Sequence, residues 1–493
     1  MTAAIQSRRS PLPVNQPPAD DRSKIFRQIR FLIWTYLILL IFEGALRKWI
    51  VPQLSNPILL IRDPVVVLIY LWALRAHIFP HNLYMVVLGI VAVLSLFVSI
   101  VVLLDYFPLT LILEVTLYGF RSNFLHLPLI FIIPKVFDEE DVKKIGWFIL
   151  MLMIPMSLLM VAQFKASPDS FINRTVGVGE ALQLTAGGDK IRPPGTFSFI
   201  SGPVFYIPLA TAFAIYGALN RKSYKTWLLM AAGSSLVIAI AVSGSRSCVA
   251  CVLLVVFAVG VIFLVRPSAV NQFGRTLVVV VIAGLILSRL PVFKEGITIL
   301  SDRFTTSAEA GETTIFGSIV GRTIEDFTHP FSVLGKIPTF GYGLGIGTSG
   351  GARFLVGRAA FLLAEGEWMR ILLESGPILG LAFLFWRLVL ALRIGYFTIA
   401  SLRQGAILPV LLYSCSFLPL LNAQLGQPTS LGFTVFLSGL CLAAMQTRQP
   451  LVPAVLPGKT EPAAKPLPRR SPYASRLYGP DAGADHTNGL VDR

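Results

Sequence analysis

Long apolar runs separated by short polar breaks dominate the chain, and their length sets the fold class. Crossing the hydrocarbon core of a bilayer takes about 20 mostly apolar residues, and segments near that length recur from residue 31 to residue 446. The pattern predicts about twelve spans: Phe31–Val51, Ile58–Leu74, Leu83–Leu104, Phe107–Phe137, Ile145–Phe164, Ser201–Leu219, Thr226–Val242, Cys248–Val265, Thr276–Phe293, Met369–Leu392, Ala406–Leu421 and Thr429–Met445. The fourth is overlong and broken at Gly119, Arg121 and Pro128, which leaves open whether 107–137 is one span or a re-entrant pair. Outer-membrane barrels show short alternating segments instead. The expected fold is therefore an all-α membrane protein, a multi-pass helical bundle.

Two polar stretches interrupt the series. Residues 165–200 and 294–368 are read as external loops, the second one large. Residues 1–30 and 447–493 are rich in proline, alanine and charge, as in "PLPVNQPPADD" and "PAAKPLPRRSP", a composition that buries too little apolar surface to fold, and are read as disordered tails. The basic N-terminal segment precedes a span too long for a signal-peptide core and has no small-residue cleavage site, so it is read as retained. No repeat at solenoid periods is detected, and the two halves look unlike each other.

Composition agrees with the pattern, with 54% hydrophobic and 14% charged residues and a mean hydropathy of +0.71. The net charge of +16 changes the picture only in its placement. Arg22, Lys24, Arg27 and Arg30, then Lys143 and Lys144, Arg221, Lys222 and Lys225, Arg266 and Arg275, Arg393 and Arg403, and Arg448 fall in connections on one side, which the positive-inside rule makes cytoplasmic together with both termini. The charge is topological and does not argue for nucleic acid.

Cations that topology leaves over invite a chemical reason. Lys165, Arg174, Lys190 and Arg192 lie in the first external loop, and Arg303, Arg322, Arg353 and Arg358 in the second. Arg246 sits in "SGSRS" between two spans joined almost without a loop, at headgroup depth, where an ionisable residue marks function by default. A guanidinium binds phosphate bidentately and never deprotonates, so a lipid phosphate is its natural partner. Elsewhere the signals are weaker. "GYGLGIG" (341–347) lacks the strand-then-helix frame of a phosphate loop and is read as a set of close turns. Cys248 and Cys251 form a CxxC inside a span and are read, with Cys415 and Cys441, as packing residues. Glu43 with Arg47, and Arg62 with Asp63, are expected to form ion pairs.

"SGSRS", then "GRTIEDFTHPFSVLGKIPTFGYGLGIGTSGG" (321–351), then "AEGEWMRILLESGPILGL" (364–381), with "IRPPGTFSFISGP" (191–203) upstream, resembles the O-antigen ligase and O-antigen polymerase family of bacterial inner-membrane glycosyltransferases over about residues 140–446. The resemblance implies transfer of glycan from a polyprenyl-pyrophosphate carrier on the outer face of the membrane, with no cofactor and no metal. Its partners would be the polyprenyl-pyrophosphate-linked glycan, membrane lipid, and a chain-length regulator or export components. It implies further that Arg246 and Arg322 clamp the pyrophosphate, with Arg192 a third cation. Where the ligases carry a histidine, this chain has Glu365 and Glu367, candidates for the general base, and His329 lies well upstream. That departure favours polymerase over a ligase acting on a lipid or protein acceptor. A transporter or flippase of lipid-linked glycan is the reading from another class. For Glu367 the residues offer a structural alternative, pairing with Arg370, which in turn pairs with Glu374, at helical spacing.

Overall fold

The computed structural model describes residues 19–176, 185–187, 190–267, 289–310, 315–358 and 360–446. The chain is mostly helical: α1 (Ala19–Ala45), α2 (Arg62–Arg75), α3 (Leu83–Leu103), α4 (Leu109–Phe120), α5 (Leu129–Val136), α6 (Glu139–Lys165), α7 (Ser201–Leu219), α8 (Thr226–Val242), α9 (Arg246–Val265), α10 (Pro291–Ala310), α11 (Ile315–Ser332), α12 (Ser349–Val356), α13 (Glu367–Gln404), α14 (Leu408–Asn422) and α15 (Pro428–Ala443). One small antiparallel hairpin, β1 (Thr185–Gly187) with β2 (Lys190–Ile191), precedes α7.

Among the described residues six helices are long and apolar enough to cross a membrane: Arg22–Ile50, Leu83–Leu103, Glu139–Lys165, Ser201–Leu219, Arg246–Val265 and Glu367–Gln404. α8, α14 and α15 are apolar but shorter. Their surfaces identify the solvent they face. Phe97 on α3, Phe257 on α9 and Phe385 on α13 are each about two thirds exposed, and apolar surface on this scale is stable against lipid, not water. α14, α15 and α7 sit at the centre, where Leu411, Phe433, Phe436, Ile207 and Phe213 are fully buried.

Two expected spans, Ser201–Leu219 and Thr226–Val242, reappear as helices residue for residue, and others with changes that have physical causes. The second shrinks to the 14 residues of α2. Segment 107–137 divides into α4 and α5, separated by a π-helical turn, Arg121–Leu125, and by Pro128, which supplies no amide hydrogen. A second π turn, Leu46–Ile50, ends α1. Each π turn brings buried cations with it, Arg47 and Lys48 in one and Arg121 in the other. Thr276–Phe293 lies largely outside the described residues. Stretch 294–368 is not an irregular loop: most of it is helical, in α10, α11 and α12.

Candidate functional site

The turn between α8 and α9 is built by its small residues. Ser243 donates its hydroxyl to the Ile240 carbonyl (2.8 Å) and accepts from the Ser245 amide, while the Ser245 hydroxyl accepts from the Cys248 amide (3.3 Å) and caps α9. Gly244 between them has φ +56°, and a Cβ there would lie 2.9 Å from Cβ of Ala186 and 3.6 Å from Cγ of Arg192. Arg246 is thus fixed as the first residue of α9, and the same turn brings Arg192 alongside. Arg192 also donates through Nε to the Thr185 carbonyl (3.1 Å), anchoring it to the hairpin.

Both arginines line one cleft of about 670 Å³. The α7 end contributes Phe199, Ser201 and Phe205, the α14–α15 connection contributes Asn422, Gln424 and Gln427, and α11 contributes Glu325 and Asp326. Glu365 completes it. Segment 365–366 is tied to the α14–α15 connection, since the Gln424 amide donates to the Glu365 carbonyl (2.5 Å), and the Glu365 side chain is exposed. Two cations and three carboxylates therefore share a cavity open to ligand. Among the candidates, the structure brings Arg192, Arg246 and Glu365 together. Arg322 lies on α11, three residues before Glu325, with its side chain outside the described set.

Glu367 does not join them. It is buried, and its carboxylate accepts from Arg370 Nε (2.9 Å) and Nη2 (3.0 Å), from Arg387 Nη1 (2.9 Å) and from the Leu425 amide (3.2 Å). Oε1 takes three of these bonds and Oε2 one, so the carboxylate is held in buried ion pairs and does not line the arginine cleft. The helical pairing holds instead: Arg370 Nη1 also contacts Glu374 Oε2 (2.6 Å), and Asn123 Oδ1 accepts from Arg370 Nη2 (2.8 Å). Arg387 donates further to the carbonyls of Leu420, Pro419 and Ala423, closing the C-terminal end of α14.

The glycine-rich stretch belongs to this node. Gly341, Gly343 and Gly345 have φ of +71°, +112° and +96°, and the Gly347 amide donates to Glu374 Oε1 (2.9 Å). Gly376 breaks α13 with φ +73°, and a Cβ there would lie 2.2 Å from the Thr339 carbonyl oxygen. Loop and kink interlock backbone to backbone, as close turns require.

A second buried polar network joins α1, α2 and the π turn after α4. Glu43 pairs with Arg47 (3.4 Å), as its spacing suggests, but Arg62 pairs with Glu43 (3.1 Å) and not with its neighbour Asp63. Consecutive helical residues point about 100° apart, so an i, i+1 pair cannot close. Asp63 instead meets Arg121 (2.6 Å) and His126 (2.9 Å), and Tyr36 reaches the other ring nitrogen of His126 (3.0 Å). Arg47 Nη1 donates to Ser198, Lys48 Nζ to the Gly195 carbonyl (2.8 Å), and Thr196 to the Ile41 carbonyl (2.7 Å), which fixes "GTFS" just before the cleft. All four cysteines are free thiols. Among the described residues no three His, Cys, Asp or Glu side chains are arranged to hold a metal ion. No family model, curated protein or solved structure matches the chain.

Proposed function

We propose that the chain is a membrane glycosyltransferase that polymerises lipid-pyrophosphate-linked oligosaccharide units on the outer face of the bacterial inner membrane, as the resemblance to the O-antigen polymerases implies, with both termini cytoplasmic as the positive-inside rule predicts. What carries the reading is one observation: Arg192, Arg246 and Glu365, chosen from separate stretches of sequence, line one cleft. The arginines stabilise charge on a departing diphosphate, and the carboxylates serve the incoming hydroxyl. In the step that follows, the acceptor oxygen forms a bond to the anomeric carbon of the donor sugar as the bond from that carbon to the diphosphate oxygen breaks. The electron pair leaves with the lipid diphosphate, and the hydroxyl proton passes to the Glu365 carboxylate.

The donor carries its own leaving group, so the reaction draws on no nucleotide, and the work left to the protein is orientation and charge. The deciding experiment is the identity of lipid-linked glycans that accumulate when the gene is deleted. Single repeat units are expected. Accumulation of polymerised chains would replace the polymerase by a ligase of the same site, and no accumulation would end the reading.

A further inference from the structure

Two cavities share the acidic pair of α11. Glu325 and Asp326 line the arginine cleft and also a second cavity of about 570 Å³ that includes His329, Lys336 and Tyr342. Ala364 and Gly366 line the second cavity while Glu365, between them, lines the first. The two spaces are therefore neighbours that share the wall made by Glu325 and Asp326, and residues 364–366 alternate between them, with Glu365 on the side of the arginines.

The two differ in chemistry. The first has a pair of arginines. The second sets Glu325 and Asp326 against one lysine and one histidine, a mixture of donors and acceptors with no guanidinium to fork onto a diphosphate. It also has an aromatic carried on a fixed stretch of backbone. Tyr342 stands between two left-handed glycines, its amide donates to the Leu373 carbonyl (2.7 Å) and the Gly343 amide to the Glu374 carbonyl (3.1 Å), yet its side chain remains 45% exposed. A ring held this way offers a flat apolar face with a polar tip, which suits the alternating C–H and O–H faces of a sugar.

We propose that this second cavity is the acceptor site, taking the hydroxyl-rich, diphosphate-free end of a second glycan and presenting its hydroxyl at Glu365 to the donor held by Arg192 and Arg246. The inference rests on the glycosyltransferase reading and deepens it. A polymerase must hold two glycans at once, and two neighbouring cavities that share an acidic wall, with Glu365 beside it, give each its place. Tyr342 is a specificity-determining contact with the acceptor sugar, and the glycine-rich loop exists to fix it.

The test uses the full chain in lipid nanodiscs. The donor is the lipid-linked oligosaccharide extracted from deletion cells, and the acceptor is the same oligosaccharide freed of lipid by mild acid. Tyr342→Ala is expected to raise KM for the free oligosaccharide about tenfold, with the donor KM unchanged and Tyr342→Phe largely restoring the acceptor KM. Lys336→Ala, on an exposed turn, is expected to shift the same constant in the same direction, which guards against a folding defect in the tyrosine variant. If both alanine variants keep the acceptor KM within twofold while wild type still extends the oligosaccharide, the acceptor assignment is overturned and the glycosyltransferase reading stands. A wild-type protein that neither consumes donor nor extends acceptor overturns the reading and the acceptor site with it.

Discussion

At the scale of single residues, exposure separates the charges that border the cleft from the charges buried in ion pairs. Arg246 and Arg192 border open space. Replacing either by alanine is expected to lower turnover about a hundredfold or more, the effect of losing one preorganised donor worth about 2.7–4 kcal/mol, and lysine at 246 is expected to restore part of it because it keeps the charge and loses the fork. Initial rates in membrane vesicles at matched protein level measure this, and normal polymerisation by Arg246→Ala removes the clamp. The two glutamates should split in the opposite sense. Glu365→Gln is expected to abolish transfer with the protein still inserted and folded. Glu367→Gln leaves the guanidiniums of Arg370 and Arg387 buried with weakened partners, and breaking such a pair costs about 3–5 kcal/mol, so its loss should appear as a lower melting temperature in detergent before any question of rate arises.

At the scale of elements, the sequence was most legible where periodicity and length alone decide. Ser201–Leu219 and Thr226–Val242 have the same bounds in the pattern and in the structure, because a small-residue or charged break marks each end. It was least legible where tertiary partners decide. Nothing local says that Arg387, inside an apolar run, reaches 20 residues back to Glu367 and caps α14, or that Asp63 turns away from Arg62 toward Arg121 and His126. The available signal was an ionisable residue in an apolar run, which calls for a named partner that only the fold supplies. The SGSRS turn was readable because capping serines and a left-handed glycine act within a few residues; the contribution of α11 to the cleft was not, since it depends on packing against residues 364–368. The kink at Gly376 is the element-scale prediction. Alanine there combines a strained φ with a Cβ driven into the Thr339 carbonyl, and strain alone costs about 1–3 kcal/mol. Gly376→Ala should therefore lower thermal stability and displace the Tyr342 loop, whereas Gly233→Ala, inside α8 with nothing within 4 Å of its new Cβ, should leave the melting temperature no lower and raise it slightly, since alanine is the better helix former.

For the whole molecule, the proposed function requires a sidedness, and lysine and arginine placement predicts it. If the connections carrying Arg221, Lys222 and Lys225 face the cytoplasm, the α8–α9 turn with Arg246 lies on the opposite face, one span away, and Ser170 and Ser318 lie on that face too. Single cysteines tell the faces apart directly in a background whose four native cysteines have been replaced. Cysteine at Ser170 or Ser318 should react with a membrane-impermeant maleimide in intact spheroplasts, and cysteine at Ser223 should react only after the membrane is opened. The positions are chosen so that one result bears on the chemistry as well as the map. Lipid-diphosphate-linked glycans ready for polymerisation stand on the outer face, where neither sugar nucleotide nor ATP is at hand, and a cleft that must take its energy from the leaving group of its donor makes sense only there. Labelling of Ser223 in intact spheroplasts, with Ser170 and Ser318 protected, would place Arg192, Arg246 and Glu365 in the cytoplasm, and the polymerase reading would fall even with every contact in the cleft left as it is.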